Sequence, residues 1–569
     1  MINKEDIVAR ECKFAVYCRP PKGASDDYHL VKERLHLKDG TTVPNVRLVR
    51  NFKRSFWLTT KGRRVHQQKK EREYLVNLKE YQCTESKLVR SIAKALGKPY
   101  FQGTLRDLAD SPYLYGTDKL STALIKDRYR EKFPEAVSFN SVAVFDTETF
   151  ISDGTIIMAT ISFKDKVYTA CQAKFFEGIA NAEIHVQQAF EKYLGKYKEE
   201  RNITLEFELV PEEIDVIRKV FAKAHEWRPD FLTMWNINFD MPKVMEACER
   251  AGVDPKDIFS DPSVPLDYRF FRYKEGKKIK IMASGKASPI GMADQWHTVY
   301  CPSSFYLIDS MCVYRRLRTG KEQPSYSLNY ILGQELGERK LRFTQADKFG
   351  DGVEWHEFMQ ENYPVEYVIY NIFDCISVEL LDEKTNDLAV DVPDACAFSD
   401  FASLPSQPTR VVDELHCYLL NEHASVLGTT SANMLGELDE LTPPNKGMIV
   451  NLKAFLVQDE GLQCIREFPS MRTRAYLHVY DLDVSSAYPS NTIVFNVSKE
   501  TNKVVFCKLE GTSQHDALMS SINLSGGHTN SVEFVTARFG LPTMRNALAL
   551  YKCEKKVVTE NGKVKSVEA

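Results

Sequence analysis

Four acidic residues and one tyrosine occur at spacings that could bring their side chains to one point in space. Asp146 and Glu148 lie two residues apart in VFDTETF, so on a strand both carboxylates face the same side. Asp240 comes just after the short apolar segment FLTMW, in WNINFD. Asp374 lies one helical turn after Tyr370 in the segment 366–383. Each pattern is common by itself, and their combination in this order is what makes the signal specific.

Carboxylates that converge on one point repel one another and raise each other's pKa unless cations lie between them. Their hard oxygen atoms favour Mg²⁺ or Mn²⁺. Two such ions in one site can activate a water and stabilise the leaving oxygen of a phosphodiester. A nearby phenol such as that of Tyr370 could orient the attacking water. The pattern therefore predicts two-metal phosphodiester chemistry, with the ligands Asp146, Glu148, Asp240 and Asp374.

The segments that carry these residues predict an α/β layer. Strands are expected at SVAVFDTETF, TIIMATISF and VYTAC, joined by short turns into an antiparallel meander. FLTMW is expected to be a further strand, with Asp240 at its end. Helices are expected at about 182–198, 212–226, 241–251 (with Pro242 near its first turn), 366–383 and 409–421. Strands followed by alternating helices and strands fit a ribonuclease H-like fold within an α/β (α+β) multidomain chain.

Length and composition place the chain among multidomain globular proteins. Its 569 residues predict two to four domains, and 43% of them are apolar. No apolar run reaches 18 residues, so no membrane span is expected. The charged start MINKEDIVARECKF lacks the apolar segment of a secretory signal, which favours a cytoplasmic location. The 13 cysteines include no C-x-x-C pair, so we expect reduced, mostly buried thiols.

Basic and aromatic residues alternate in two stretches of a chain whose formal net charge is only −3. The second stretch is YRFFRYKEGKKIK at 268–280. Cations can neutralise phosphates and aromatic faces can stack on unpaired bases, although charge alone favours a solvated surface strand or hairpin. The first stretch, 51–72, contains Phe52, Lys53, Arg54, Phe56, Trp57, Lys61, Arg63, Arg64, Lys69, Lys70 and Arg72.

VFDTETF, WNINFD and YNIFD resemble the three exonuclease motifs of the proofreading domain of family B DNA polymerases. The resemblance implies a two-metal 3′→5′ exonuclease in which Asp146, Glu148, Asp240 and Asp374 bind the metals and Tyr370 positions the water. It also implies that Asn236 and Phe239 hold the 3′-terminal nucleotide of single-stranded or primer-template DNA. Thr147 stands where the family usually has Ile or Leu, and WNINFD is slightly short. Neither departure removes an acid, so we expect activity.

DVSSAYPS (483–490), followed by NVSKET (496–501), resembles the first palm motif of the same family, most like that of tailed-phage replicative polymerases. By this resemblance Asp483 and the carbonyl of Val484 would bind two metal ions. Ser486 and Ala487 would contact the triphosphate of a dNTP, and Tyr488 would exclude a 2′-hydroxyl. Ala487 replaces the family's Leu, which could loosen nucleotide selection. A phage-encoded enzyme of this kind would work in the host cytoplasm.

A family B polymerase also needs a K-x-x-x-N-S-x-Y-G fingers helix and a D-T-D hairpin, and neither occurs in residues 491–569. We therefore expect no primer extension by this chain without a carboxy-terminal polymerase chain that carries the fingers, the rest of the palm and the thumb. A naturally split polymerase and a truncated product both fit. An Asn561-Gly562 turn in the tail predicts a terminal hairpin, which favours the split.

The expected domains are an amino-terminal template-side domain (1–137), the exonuclease domain (138–390), a connector and start of the palm (391–470), and a partial palm (471–569). In the first of these, Lys61, Arg63 and Arg64 would contact DNA phosphates. Two alternatives stay open. The chain could be a stand-alone 3′→5′ exonuclease in which 475–569 is structural, or a non-catalytic nucleic-acid-binding module.

Overall fold

The computed structural model describes residues 4–67, 69–281, 287–319, 323–350, 352–392, 407–431, 493–494, 556–560 and 563–568. The chain divides into two compact units, Met1–Ala432 and Asn433–Ala569. The finer domain boundaries expected from the sequence stay predictions. No helix in the described parts of the chain is both long and apolar enough to cross a membrane.

The first unit contains strands and helices throughout its described length. Its strands are β1 (Ile7–Cys18), β2 (Tyr28–Leu37), β3 (Thr42–Arg50), β4 (Arg54–Thr59), β5 (Arg72–Tyr74), β6 (Leu78–Cys83), β7 (Leu114–Tyr115), β8 (Val142–Thr149), β9 (Ile156–Phe163), β10 (Lys166–Gln172), β11 (Thr204–Val210), β12 (Phe231–Met234), β13 (Arg272–Lys274), β14 (Ile279–Ile281), β15 (Ala287–Pro289), β16 (Thr298–Tyr300), β17 (Tyr306–Asp309) and β18 (Ser425–Leu427). Its α-helices are α1 (Leu88–Ala95), α2 (Leu105–Ala109), α3 (Ser121–Lys132), α4 (Ala182–Arg201), α5 (Glu213–Trp227), α6 (Ile237–Arg250), α7 (Pro255–Phe259), α8 (Ser310–Leu317), α9 (Leu328–Glu335), α10 (Val353–Asn362), α11 (Pro364–Thr385) and α12 (Gln407–His423).

A mixed sheet forms the centre of the first unit, with the strand order β11-β10-β9-β8-β12-β17 among the described residues. β8, β9 and β10 form the expected antiparallel meander. β12 pairs parallel with β8 and with β17, and β11 pairs parallel with β10. The α/β character predicted from the sequence is therefore confirmed.

Helices cover both faces of this sheet. α5 packs against β9 and β10 through buried residues such as Val216 and Phe221. α11 packs against β8, β9 and α4. Of the apolar positions of α11 that recur at helical spacing, Ile369, Ile372, Phe373 and Ile376 are buried as that spacing predicts, and Leu380 is partly buried. Strands of the meander are apolar on both sides because each side meets a helix layer.

Smaller sheets precede the central one. β1, β2 and β3 form an antiparallel sheet against which α3 packs, and β4 lies between β6 and β7 in another. Buried hydrogen bonds connect the sheet of β1, β2 and β3 to the central sheet. The ammonium of Lys32 on β2 donates to the carbonyls of Arg228 (2.6 Å), Pro229 (3.0 Å) and Ser304 (2.8 Å). Three carbonyl acceptors satisfy all three protons of a lysine that is wholly buried.

The structure corrects the expected start of the helix that carries Asp240. The helix predicted at 241–251 begins at Ile237, so Asp240 lies in its first turn rather than at the end of a strand, and Pro242 is interior. The ring of Pro242 is tolerated because it lies near the start of the helix, where few backbone hydrogen bonds are lost.

The aromatic residues of the basic stretch 51–72 do not present faces on which unpaired bases could stack. Phe52, Phe56 and Trp57 are all buried. Phe56 and Trp57 are neighbours on β4 and face opposite sides of it, and each side packs in a separate apolar cluster.

In the second unit, strand β19 (Lys556–Glu560) pairs antiparallel with β20 (Lys563–Glu568). This is the pairing that the Asn561-Gly562 turn predicts, although the two turn residues themselves lie outside the described residues.

Candidate functional site

The acid cluster consists of Asp146, Glu148 and Asp374. One carboxylate oxygen from each of these three residues lies within 4.8 Å of the other two. Asp146 and Glu148 project from the same face of β8, and Asp374 approaches from α11, which packs against that face. The convergence predicted from the sequence is thus present for these three acids.

Asp240 lies beside this cluster but outside the 4.8 Å group. Its Oδ1 accepts hydrogen bonds from the backbone N–H (3.1 Å) and the hydroxyl (2.7 Å) of Thr147. Thr147 points to the opposite side of β8 from its two acidic neighbours. The residue that departs from the family pattern therefore orients an acid, which the sequence alone did not indicate.

One face of α11 holds the acids of β8 in place. The hydroxyl of Tyr367 donates to Oε2 of Glu148 at 2.6 Å, and Nδ2 of Asn371 donates to Oδ2 of Asp146 at 2.7 Å. With Tyr370 and Asp374 they occupy positions i, i+3, i+4 and i+7 of the helix. Sequence analysis missed Tyr367 and Asn371. Polar residues recurring at helical spacing in an otherwise apolar helix were the signal that could have found them.

Further hydrogen bonds fix the side chains of Asn371 and Tyr367. Oδ1 of Asn371 accepts from the hydroxyl of Thr160 on β9 at 2.5 Å. The hydroxyl of Tyr367 also meets Nε2 of Gln360 at 3.2 Å and Nδ1 of His356 at 2.8 Å. Such outer contacts fix the orientation of a ligand side chain before any ligand arrives.

Lys340 is a cation at the edge of the acid cluster that the sequence analysis did not identify. Its Nζ lies 2.5 Å from Oδ2 of Asp374 and 3.0 Å from the hydroxyl of Tyr370. Burial opposes its charge, but Asp374, the phenol of Tyr370 and Asp146 outweigh that and keep the pKa of Lys340 well above its usual value. The lysine is therefore protonated at neutral pH and offsets part of the negative charge.

The remaining negative charge is not balanced by the protein. Burial and the charge of Asp374 raise the pKa of Glu148 to about 8, although the hydrogen bond from Tyr367 acts in the opposite direction. Burial raises the pKa of Asp240 to about 7, and burial together with Asp240 and Asp374 raises the pKa of Asp146 well above its ordinary value. Oδ1 of Asp374 is buried without a hydrogen-bond partner. An all-oxygen donor set with surplus charge and an orphaned carboxylate oxygen fits a hard divalent cation.

The residues expected to contact substrate differ in accessibility. Phe239 is 55% exposed, whereas Tyr370 is buried and lies parallel to Tyr367 with ring centroids 6.0 Å apart. Asn236 precedes α6, and its carbonyl accepts from the N–H of Phe239 at 2.9 Å. A cavity of about 300 Å³ adjoins Tyr370 and Lys340 and is also lined by Arg342, Trp355 and His356, among others. The exposed ring of Phe239 is thus next to Asp240 in the chain, and the cavity that contains Lys340 and Arg342 lies beside Tyr370.

The basic residues expected to contact DNA are only partly available. Lys61 and Arg63 are exposed in a 3-10 turn after β4. Nε of Arg64 instead donates to the carbonyl of Thr59 at 2.8 Å, and its guanidinium lies 5.7 Å from the ring centroid of Tyr113. Folding therefore uses Arg64 and leaves the other two at the surface.

A second group of metal-ligand side chains, His297, Asp309 and Cys312, is explained by the fold. Asp309 precedes α8, and its two oxygens accept from the N–H groups of Cys312 (2.7 Å) and Ile237 (2.9 Å). The thiol of Cys312 donates to the carbonyl of Gln295 at 3.2 Å, and Nδ1 of His297 accepts from a backbone N–H. These atoms cap helices and satisfy backbone groups.

The predicted palm residues Asp483, Val484, Ser486, Ala487 and Tyr488 lie outside the described residues. Their roles therefore remain expectations from the motif. Comparison with known proteins adds nothing to the motifs: no protein-family model matches the chain, and no curated protein matches it.

Proposed function

We propose that the chain is the amino-terminal part of a family B DNA polymerase and carries a two-metal 3′→5′ exonuclease site for DNA. The observation that supports the exonuclease most is the acid cluster, in which carboxylates of Asp146, Glu148 and Asp374 lie within 4.8 Å of one another. A structural role does not account for it, because converging acids destabilise a fold unless a ligand compensates them.

Under this proposal Asp146, Glu148, Asp374 and Asp240 hold two Mg²⁺ or Mn²⁺ ions. When bound, such ions supply a nucleophilic water and stabilise the charge on the leaving oxygen. The chain's own groups orient that chemistry. Tyr367 and Asn371 fix the carboxylates of Glu148 and Asp146. Holding ligands rigidly lowers the reorganisation needed in the transition state.

Other residues bind and place the substrate. The exposed ring of Phe239 can stack on the 3′-terminal base, and Asn236 next to it can hydrogen-bond that nucleotide. The ammonium of Lys340 and the phenol of Tyr370 lie together beside Asp374, where they can bind a phosphate oxygen and orient water.

The proposal includes a ribonuclease H-like fold for the exonuclease region. Its support is the antiparallel meander β8-β9-β10 followed by the parallel strands β12 and β17, with helices on both faces. The acids then lie on the first strand and on helices that pack beside it.

The polymerase half of the proposal rests on the resemblance of DVSSAYPS and NVSKET to a palm motif. Asp483 supplies one bridging carboxylate, and two-metal nucleotidyl transfer needs at least two. Synthesis from dNTPs on primer-template DNA would then require a carboxy-terminal polymerase chain.

The test is digestion of a 5′-labelled single-stranded DNA by the purified chain with Mg²⁺ or Mn²⁺. We expect progressive shortening from the 3′ end, lost in Asp146→Ala. A matched control is Asp165→Ala, which removes an exposed carboxylate from the turn after β9 and should leave the rate unchanged. Mn²⁺ uptake is measured in parallel. Absence of both cleavage and Mn²⁺ uptake in the intact chain would overturn the proposal.

Two other functions are separated by the same experiment. Uptake of Mn²⁺ without cleavage would mean that the site needs a partner chain to act. A stand-alone exonuclease is the main alternative, because the whole acid cluster lies inside the compact unit Met1–Ala432. It predicts full activity and no gain when a carboxy-terminal polymerase chain is added.

A further inference from the structure

A cavity of about 480 Å³ lies between β1, the end of α3, the segment 133–140 that leads to β8, and Ala389 and Val390. It is separate from the acid cluster and shares no lining residue with it. Its volume is in the range of small-molecule sites in proteins.

Positive charge exceeds negative charge among the side chains that line this cavity. The cations are Arg10, Lys13, Lys126 and Arg130, and the acid is Glu11. Arg10 is paired with Glu33 at 3.0 Å, and the ammonium of Lys126 donates to the carbonyl of Lys13 at 3.3 Å. Glu11 is already occupied: its oxygens accept from the ammonium of Lys13 at 2.5 Å and from the hydroxyl of Ser138 at 2.6 Å. Arg130 is exposed and forms no ion pair within the described residues. Arg130 is therefore the cation of this cavity that can attract an anion.

Other residues that line the cavity are apolar or aromatic. Phe139 is 78% exposed and Val137 is 77% exposed. Phe133 at the end of α3 is half-buried beside them. Large apolar side chains left open beside a cationic wall are typical of a site for a ligand with an aromatic part and an anionic part.

We propose that this cavity binds a nucleoside monophosphate unit, either as a free nucleotide or as one nucleotide of a single strand. The phosphate would lie against Arg130, because a guanidinium is a usual phosphate donor. The base would lie against Phe139 and Phe133, because stacking on an aromatic face accepts any base. The cavity thus gives the amino-terminal region a nucleotide site of its own.

The experiment titrates the full-length chain with deoxyadenosine 5′-monophosphate by calorimetry in EDTA, which prevents metal-dependent binding at the acid cluster. We expect saturable binding that Arg130→Ala and Phe139→Ala each weaken about tenfold. Matched controls are Arg106→Ala and Tyr100→Ala, which remove an exposed arginine and an exposed aromatic ring away from the cavity. They should leave the affinity unchanged, as should Asp146→Ala.

Three further ligands decide what is recognised. Deoxyadenosine and inorganic phosphate should each bind more weakly than the nucleotide. Equal binding by phosphate, with no effect of Phe139→Ala, would overturn the nucleotide assignment. Competition by a pentadeoxyadenylate identifies the strand as the source of the nucleotide, and lack of competition identifies the free nucleotide. Absence of saturation, or binding that neither cavity variant weakens, would overturn the proposal.

Discussion

In the acid cluster three carboxylates converge from β8 and α11, and one of their oxygens, Oδ1 of Asp374, is buried without a partner. In the basic stretch 51–72 the charges diverge, and several are bound to the protein itself. Arg54 is 1% exposed and its guanidinium contacts both oxygens of Glu85 (3.0 and 2.8 Å) and the carbonyls of Thr117 (3.1 Å) and Lys119 (2.7 Å). In the sequence, both regions are marked by charged residues.

The difference shows what distinguishes a ligand site from a structural ion pair. Folding engages both terminal nitrogens of Arg54 and buries its Nε without a hydrogen-bond partner, so none of its donors is accessible to a phosphate. It does not satisfy the acid cluster, where Lys340 compensates only part of the charge. Charge that the fold leaves uncompensated is available to a ligand, and its cost should appear as reduced stability when the ligand is absent.

The largest expected effect is on the pH dependence of stability in the metal-free chain. The pKa of Glu148 is about 8 in the folded chain and near 4.5 when unfolded. The folded chain therefore retains a proton that the unfolded chain loses, and stability falls as pH rises between these values. From pH 5 to pH 8 we expect wild type to lose up to about 4 kcal/mol relative to Glu148→Gln. Urea unfolding in EDTA measures this.

Mg²⁺ or Mn²⁺ should restore the stability that wild type loses at pH 8, and restore less in Glu148→Gln. The Gln variant keeps an acceptor for the hydroxyl of Tyr367, so it isolates the charge. Parallel pH profiles of stability for the two proteins would contradict a raised pKa of Glu148 in the folded chain.

The next effect tests the basic stretch. Arg54→Met should reduce the free energy of unfolding by about 3 kcal/mol, because it leaves Glu85 and two buried carbonyls without their donor. Lys53→Met, at the exposed neighbouring position, should change it by less than about 0.5 kcal/mol. Equal effects of the two substitutions in urea unfolding would show that Arg54 is not structural.

The sequence predicted the acid cluster well because regular periodicity determines where side chains point. A spacing of two on β8 and a spacing of four on α11 fix the directions of Asp146, Glu148 and Asp374 once the elements form. Local spacing could not predict Lys340, because it lies outside regular secondary structure and reaches Asp374 only through the tertiary fold.

Prediction failed where several structures fit the same local pattern. The segment WNINFD can follow a strand or start a helix, and Asp240 proved to lie in the first turn of α6. The basic stretch alternates charged and aromatic residues, and nothing local says which face of β4 is covered. The structure buries both Phe56 and Arg54. Phe56 packs in an apolar cluster, and Arg54 pairs with Glu85, which begins a 3-10 turn after β6.

A smaller effect tests whether the residues that hold the acids act in the proposed exonuclease. Tyr367→Phe removes the hydrogen bond to Glu148 but keeps the ring packing. We expect a kcat about 10- to 50-fold lower on 5′-labelled single-stranded DNA, as for other residues that orient metal ligands. Tyr363→Phe, whose hydroxyl bonds to no acid in the described part of the chain, is the matched control. Equal rates for both variants would assign Tyr367 to stability alone.

The smallest effect concerns the charges of the basic stretch that folding leaves free. Lys61 and Arg63 are exposed, and we expect the double variant Lys61→Glu/Arg63→Glu to bind single-stranded DNA several-fold more weakly at low salt. The slope of log affinity against log salt should fall by about 1.4, since each phosphate contact contributes about 0.7. Lys94→Glu/Lys98→Glu makes the same change in net charge at exposed positions of α1 and its end, and should leave the slope unaltered. If both double variants weaken binding equally, net charge rather than a local contact is responsible, and the basic stretch is structural along its whole length.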